Sequence, residues 1–224
     1  MASPERPAGL KAGAAAKRTR AGEIFDRLAS AYPDVRIELN YGSDVELLIA
    51  VILSAQCTDK RVNMVTPDLF ARYPTVADYA AARPTDLHRY IKTCGLYRAK
   101  AKSIVAASRA LVEHHEGRVP RSRAELHELP GVGAKTAGVV TLHLPGGEAA
   151  FPVDTHVGRL ARRMGFTTQL QPDKVERDLQ KLLPKERWGL AHQLLVRHGR
   201  RCCAARAPSC PTCPVLDLCP QRGL

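Results

Sequence analysis

The sequence predicts an all-α protein, and three observations predict it. From residue 22 onward apolar residues return at intervals of three and four, the period of a helix buried along one face. The breaks between these runs carry Ser, Thr, Asp, Pro or Gly where helix ends need them. Alternating strand pairs, a dinucleotide-binding or phosphate-loop signature, and an internal repeat are all missing.

The elements follow in order. Ile24, Phe25, Leu28, Ala31 and Tyr32 form one apolar face, and Pro33 closes that helix. Ser43-Asp44-Val45-Glu46 has the form of a capping box and opens a nearly all-apolar helix through Ala55. Thr58 starts a third, with Val62, Val65 and Leu69 on one side. Shorter helices are expected at 75–82 and 85–93, begun by Thr and by Pro-Thr. Residues 97–116 carry Ile104, Val105, Leu111 and Val112 and stop at Gly117, a residue suited to a C-cap. Ser122-Arg123-Ala124-Glu125 is a second capping box, and later helices are expected at about 134–144, 155–164, 173–183 and 187–198.

At 224 residues with 45% hydrophobic content, the chain can bury one sizeable core or two modest ones. No apolar run reaches the ~18 residues a membrane span needs. The formal charge is +12. Residues 1–20 hold Arg6, Lys11, Lys17, Arg18 and Arg20 against Glu5, a net +4, in an Ala/Gly/Pro-rich context without periodicity. They are expected to form a disordered basic tail. The remaining +8 favours a polyanion, of which nucleic acid is the usual one. No continuous apolar stretch marks a signal peptide; the basic, acid-poor tail leaves an organellar transit peptide as the less favoured alternative to a cytoplasmic, nucleoid-associated protein.

Leu129-Pro130-Gly131-Val132-Gly133-Ala134-Lys135-Thr136-Ala137 lies between two predicted helices. Pro130 ends the first, the glycines allow a tight turn, and the freed amides at Gly131, Val132, Gly133 and Ala134 meet the next helix N-terminus. Donors and dipole there favour an anion such as a DNA phosphate. Lys135 stands in that helix's first turn, where the dipole opposes a positive charge and so favours the neutral amine that covalent chemistry requires. The plainer reading is a phosphate-contacting lysine.

Cysteines crowd the far end in the order Cys203-x6-Cys210-x2-Cys213-x5-Cys219, with Cys202 beside the first. Structural zinc usually draws on two short Cys-x-x-Cys knuckles, and only Cys210–Cys213 has that form. The looser outer pair favours a [4Fe–4S] cluster over zinc. Disulfides would need an oxidising compartment.

The cysteine series, the hairpin and Val153-Asp154-Thr155-His156, together with the stretches Glu46–Gln56 and Ile91–Tyr97, strongly resemble the bacterial endonuclease III family of base-excision DNA glycosylases and abasic-site lyases. The likeness covers residue 22 to the C-terminus. It implies two helical domains flanking a DNA cleft: a six-helix barrel at 38–149 with the helix-hairpin-helix at about 123–144, and a discontinuous iron–sulfur domain of 21–37 plus 150–224.

The resemblance also implies roles. Lys135 is the nucleophile that forms a Schiff base with the sugar of a flipped nucleotide, after which β-elimination cuts 3′ to the site. Asp154 is the essential carboxylate, although a helix N-cap explains it as well. Gln56 and Leu96 match positions that enter the duplex where the base has left. His156 and Arg206 match DNA contacts, and Cys203, Cys210, Cys213 and Cys219 match the cluster ligands. The implied partner is double-stranded DNA carrying oxidised pyrimidines or abasic sites, bound by a monomer. Arg159, Arg162 and Arg163 read as a solvated face or as phosphate contacts. Two departures stand out: Gly138 where the family commonly has Asn, and Cys57 where Ala is frequent.

Rival readings are a mismatch glycosylase, disfavoured by Lys135, and a non-catalytic DNA-binding module with a zinc clip. The latter gives no reason for Lys135 and Asp154 to occur together in these contexts.

Overall fold

A computed structural model describes residues 13–224, and among them every regular element is helical. The α-helices are α1 (Ala14–Ala31), α2 (Asp44–Ser54), α3 (Asp59–Arg72), α4 (Val76–Ala81), α5 (Pro84–Ile91) and α6 (Tyr97–His114). They continue with α7 (Arg123–Glu128), α8 (Ala134–His143), α9 (Thr155–Arg163), α10 (Pro172–Gln180) and α11 (Trp188–Arg201), with short 3₁₀ turns at 185–187, 210–212 and 216–218. No helix among the described residues is long and apolar enough to cross a membrane.

The chain forms two compact units, one of Ile37–Ala150 and one that joins the described residues up to Arg36 with Phe151–Leu224. In the first, α2 is the central rod. Its residues Leu47 to Leu53 are all buried, because a helix apolar on every side must be surrounded. Each buried Leu, Ile or Val among them contributes about 1.5–3 kcal/mol. Helices α3, α6 and α8 pack on it.

Several ends form as expected. Ser43 Oγ accepts from Glu46 N at 3.2 Å, while the Glu46 carboxylate accepts from Gly42 N rather than from Ser43, so the box closes one residue early. Thr58 Oγ1 accepts from Arg61 N, and Ser122 Oγ from Glu125 N. Thr75 and Asp78 make a full capping box at the start of α4.

In the second unit α1 and α11 pack together and α9 lies against α10 and α11. Its core includes Ile24, Phe25, Leu28, Phe151, Leu160, Phe166, Leu194 and Leu195, with the Phe25 and Phe166 rings stacked at 5.8 Å.

Three expectations are corrected. The basic tail does not extend to residue 20, because α1 already begins at Ala14; residues 1–12 of that expected tail lie outside the described residues. The Ala-rich start is a strong helix former. Tertiary contacts then hold it: Arg20 Nη1 donates to Met164 O at 2.8 Å and to Leu218 O at 2.9 Å, and its guanidinium lies over the Phe166 ring. At the end of α6, Glu116 and Gly117 are both left-handed, at φ 52° and 75°, so the reversal starts one residue before the glycine. Gly117 N still returns to Leu111 O at 2.9 Å, sharing with His115 N the carbonyl that closes the helix. Helix α11 runs to Arg201 rather than 198, since His198, Arg200 and Arg201 suit a negative helix end.

Candidate functional site

In the hairpin, α7 and α8 are joined by the turn Leu129–Gly133. Val132 N donates to Leu129 O at 3.0 Å, and the buried Val132 side chain pins the turn to the core. His127 Nδ1 lies 3.0 Å from Val132 O and braces it from α7. Gly131 has φ 78°, and a Cβ there would collide with the Ser103 side chain, so glycine is required twice over. Gly133 has ordinary backbone angles and open space where a Cβ would point; it is the N-cap of α8 and supplies no side-chain acceptor. The N-terminus of α8 therefore keeps unsatisfied N–H donors with no acidic residue in its first turn. Lys135, exposed, is the second residue of that helix, next to the exposed Ala134.

The two residues expected to enter DNA share an unusual backbone. Gln56 has φ 51°, just past the end of α2, and Leu96 has φ 57° and ψ 29° as the N-cap of α6. Left-handed conformation costs a non-glycine residue about 1–2 kcal/mol. Leu96 is also 61% exposed, so burial does not repay that cost. A large apolar side chain that is both strained and bare is held there by its surroundings, as at sites where strain serves function. The two turns touch, since a Cβ on Gly95 would lie 3.2 Å from Gln56 O.

In the second unit Asp154 caps α9: its Oδ1 accepts from Val157 N at 2.8 Å. His156 is half-buried, with Nδ1 3.2 Å from Arg159 Nη2, and its ring packs so close to Gly199 that a Cβ there would be 2.8 Å from Nδ1. Of the three arginines of α9 expected to form a solvated face or phosphate contacts, Arg159 and Arg163 turn inward. Arg159 Nη2 donates to Gly199 O at 3.0 Å and to Cys203 O at 2.9 Å. Arg163, only 8% exposed, donates to Ala204 O at 2.6 Å, Ala205 O at 2.9 Å and Cys203 Sγ at 3.3 Å. These guanidiniums tie the start of the cysteine loop to α9. They were misread because their partners are carbonyls some forty residues away. Arg206 itself is exposed on that loop.

Cys202, Cys203, Cys210, Cys213 and Cys219 line one pocket with Arg163, Met164, His198, Pro208 and Leu216. Burial pushes the Cys213 and Cys219 thiols up, and neighbouring sulfurs add to this by repelling a second thiolate. Such a set suits a shared cation that neutralises the thiolates, and no Asp or Glu side chain lines the pocket, so the donors fit a sulfur-bound metal centre. Among the described residues the potential ligand atoms of His198, Cys202 and Cys213 gather within 4.8 Å of one another; of the four expected ligands only Cys213 belongs to this group. His198 was missed in the sequence, though its place in the last turn before Cys203 is a signal. It is fully buried, its Nδ1 is 2.9 Å from Tyr32 Oη and its Nε2 is 3.6 Å from Cys213 Sγ.

Residues 49–185 match the model of the HhH-GPD superfamily base excision DNA repair proteins. Endonuclease III of Synechocystis sp. is 46% identical over 207 residues, covering 92% of this chain and 94% of that protein. Endonuclease III of Escherichia coli is 44% identical over 200 residues, 89% and 94% of the two chains. Among solved structures, a trapped endonuclease III–DNA covalent intermediate superposes with a TM-score of 0.85 at 44% identity, covering 90% of this chain and 95% of that one. A thermostable thymine-DNA glycosylase, at 24% identity and a TM-score of 0.82, shares the fold.

Proposed function

The chain belongs to the endonuclease III family of the HhH-GPD superfamily of base excision DNA repair proteins, and on that premise we propose a bifunctional glycosylase and abasic-site lyase acting on oxidised pyrimidines in double-stranded DNA. The observation that supports it most is Lys135, an exposed lysine in the first turn of a helix whose N-terminus has no side-chain cap and no acidic residue.

In this reading the hairpin amides of Gly131, Gly133 and Ala134 grip a phosphate, the Val132 amide expected beside them being held by Leu129 O instead, while Gln56 and Leu96 fill the space left by the everted nucleotide. The Lys135 amine bonds to C1′ as the bond to the base breaks and the base leaves with that electron pair. Loss of the amine proton and ring opening give an imine. Removal of a C2′ proton then expels the 3′ phosphate. The Asp154 carboxylate stabilises positive charge on the sugar or takes the lysine proton, and the Val157 N–H fixes its orientation. His156 and Arg206 serve as DNA contacts.

Cys203, Cys210, Cys213 and Cys219 would hold a [4Fe–4S] cluster, with Arg163 and His198 beside the sulfurs. When bound, such a cluster supplies a rigid anchor for the loop that carries Arg206. The protein acts as a monomer in the cytoplasm, on the nucleoid.

Borohydride present during turnover on a thymine glycol duplex tests the reading. A covalent protein–DNA adduct, absent in Lys135→Gln, is the expected result. Clean base release without an adduct would leave a monofunctional glycosylase, and no release from any lesion would leave a binding module.

A further inference from the structure

Cys57 and Cys94, both in the unit of residues 37–150, have no part in the chemistry above. Cys57 follows Gln56 and is half-buried; Cys94 precedes Gly95 and Leu96 and is 1% exposed. Each stands in a turn after a helix: Cys57 N donates to Ser54 O at 3.1 Å and Cys94 N to Ile91 O at 2.9 Å. The turns abut at Gly95 and Gln56 O, which places Cys57 and Cys94 on either side of that contact, near enough for each sulfur to act on the other's charge. Lys100, 5% exposed, stands beside them: its Nζ donates to Leu53 O at 2.8 Å, and both sulfurs bear on its charge. A dithiol beside a buried ammonium, with one sulfur within reach of solvent, is the arrangement of an oxidisable pair.

We propose that Cys57 and Cys94 are a peroxide-reactive dithiol that closes to a disulfide and staples the Gln56 turn to the Leu96 turn. The more exposed Cys57 reacts first: its sulfur attacks one peroxide oxygen, the O–O bond breaks, and sulfenic acid and water form. The Cys94 sulfur then attacks the Cys57 sulfur and loses its proton, and the departing hydroxide leaves as a second water. Two thiols give up two electrons, and one hydrogen peroxide becomes two waters. Cys94 suits the second step: burial pushes its thiol up to about 11, so it is a poor first target, while the neighbouring Lys100 ammonium favours its thiolate. Neither cysteine is inside a helix, so the two abutting turns can shift to bring the sulfurs into bonding distance.

The consequence for DNA rests on the proposed roles of Gln56 and Leu96, but the test of the staple does not. The full chain is treated with hydrogen peroxide, remaining thiols are alkylated, and peptides are mapped by mass. The expected product is a linked Cys57–Cys94 peptide pair, lighter by two hydrogens and split by dithiothreitol, with slower amide exchange across both turns. In Cys57→Ala, Cys94 stays reduced under the same exposure. Over-oxidised Cys57 beside an untouched Cys94, unreacted thiols at both positions, or unchanged exchange after linkage overturns the proposal. Borohydride trapping reads Lys135 separately, so either idea can fail alone.

Discussion

Asp154 holds a helix end and is also proposed to hold a charge for chemistry, and two substitutions separate these duties. The cap is one hydrogen bond, from Val157 N to Oδ1 at 2.8 Å, at the start of a helix with no acidic residue in its first turn. Asp154→Ala removes that acceptor and should cost about 0.5–2 kcal/mol. Asp154→Asn keeps an acceptor and loses only the favourable charge at the helix N-terminus, about 0.3–1 kcal/mol. At roughly 2–4 °C of melting temperature per kcal/mol, Ala should melt several degrees low and Asn within a few degrees of the parent. Turnover should not follow stability: a carboxylate acting in proton transfer or charge stabilisation contributes ~10²–10⁴-fold, so both variants should lose single-turnover base release by that factor. Differential scanning fluorimetry with burst kinetics on a thymine glycol duplex reads both quantities. Parental rates in Asp154→Asn would refute the chemical role and leave a cap; an Asn variant as unstable as Ala would refute the cap argument.

Other outcomes follow from the same reasoning. Leu96→Gly should be about 1 kcal/mol more stable than Leu96→Ala, because only glycine relaxes the left-handed backbone, while both lose lesion binding in a fluorescence-anisotropy titration. Equal stabilities would mean the turn is not left-handed in solution. Lys100→Met should lower unfolding free energy in urea by about 1–3 kcal/mol, since it orphans Leu53 O at the end of α2; an unchanged midpoint would show that water replaces the ammonium. Arg163→Lys cannot reach Ala204 O, Ala205 O and Cys203 Sγ together, so metal bound per chain should fall; full loading would mean the loop holds its shape unaided. Leu47→Ala should cost about 2–5 kcal/mol by leaving a cavity at fully buried α2, measured by chemical denaturation.

Local chemistry made much of the fold legible. Ser43, Thr58 and Ser122 announce helix starts because a hydroxyl before an apolar run has an obvious acceptor role, and those hydroxyls do accept the expected N–H groups. Gly131 was legible for a related reason, since no other residue tolerates its φ and its closeness to Ser103. The left-handed backbone of Gln56 and Leu96 was not, because neither side chain prefers that region and only the packing of neighbouring turns enforces it. The inward turn of Arg159 and Arg163 was hidden too: helical periodicity places them opposite Val157 and Leu160, but it says nothing of a carbonyl-rich loop arriving from residues 203–205. Ala14–Arg20 looked like a tail because polar helices show no apolar stripe, and what fixes this one is an arginine reaching Leu218 O.

That last contact has a bearing on biosynthesis. Arg20 meets a carbonyl 198 positions later, and Arg27 pairs with Asp217 at 2.7 Å. Residues 37–150 are contiguous and can collapse while the ribosome is still elongating. Helix α1 instead has to wait, its Ile24, Phe25 and Leu28 uncovered, until Leu194 and Leu195 have emerged. At 5–20 residues per second that interval is roughly 8–35 s. Through that interval the growing polypeptide carries an uncovered amphipathic helix able to stick to other apolar surfaces.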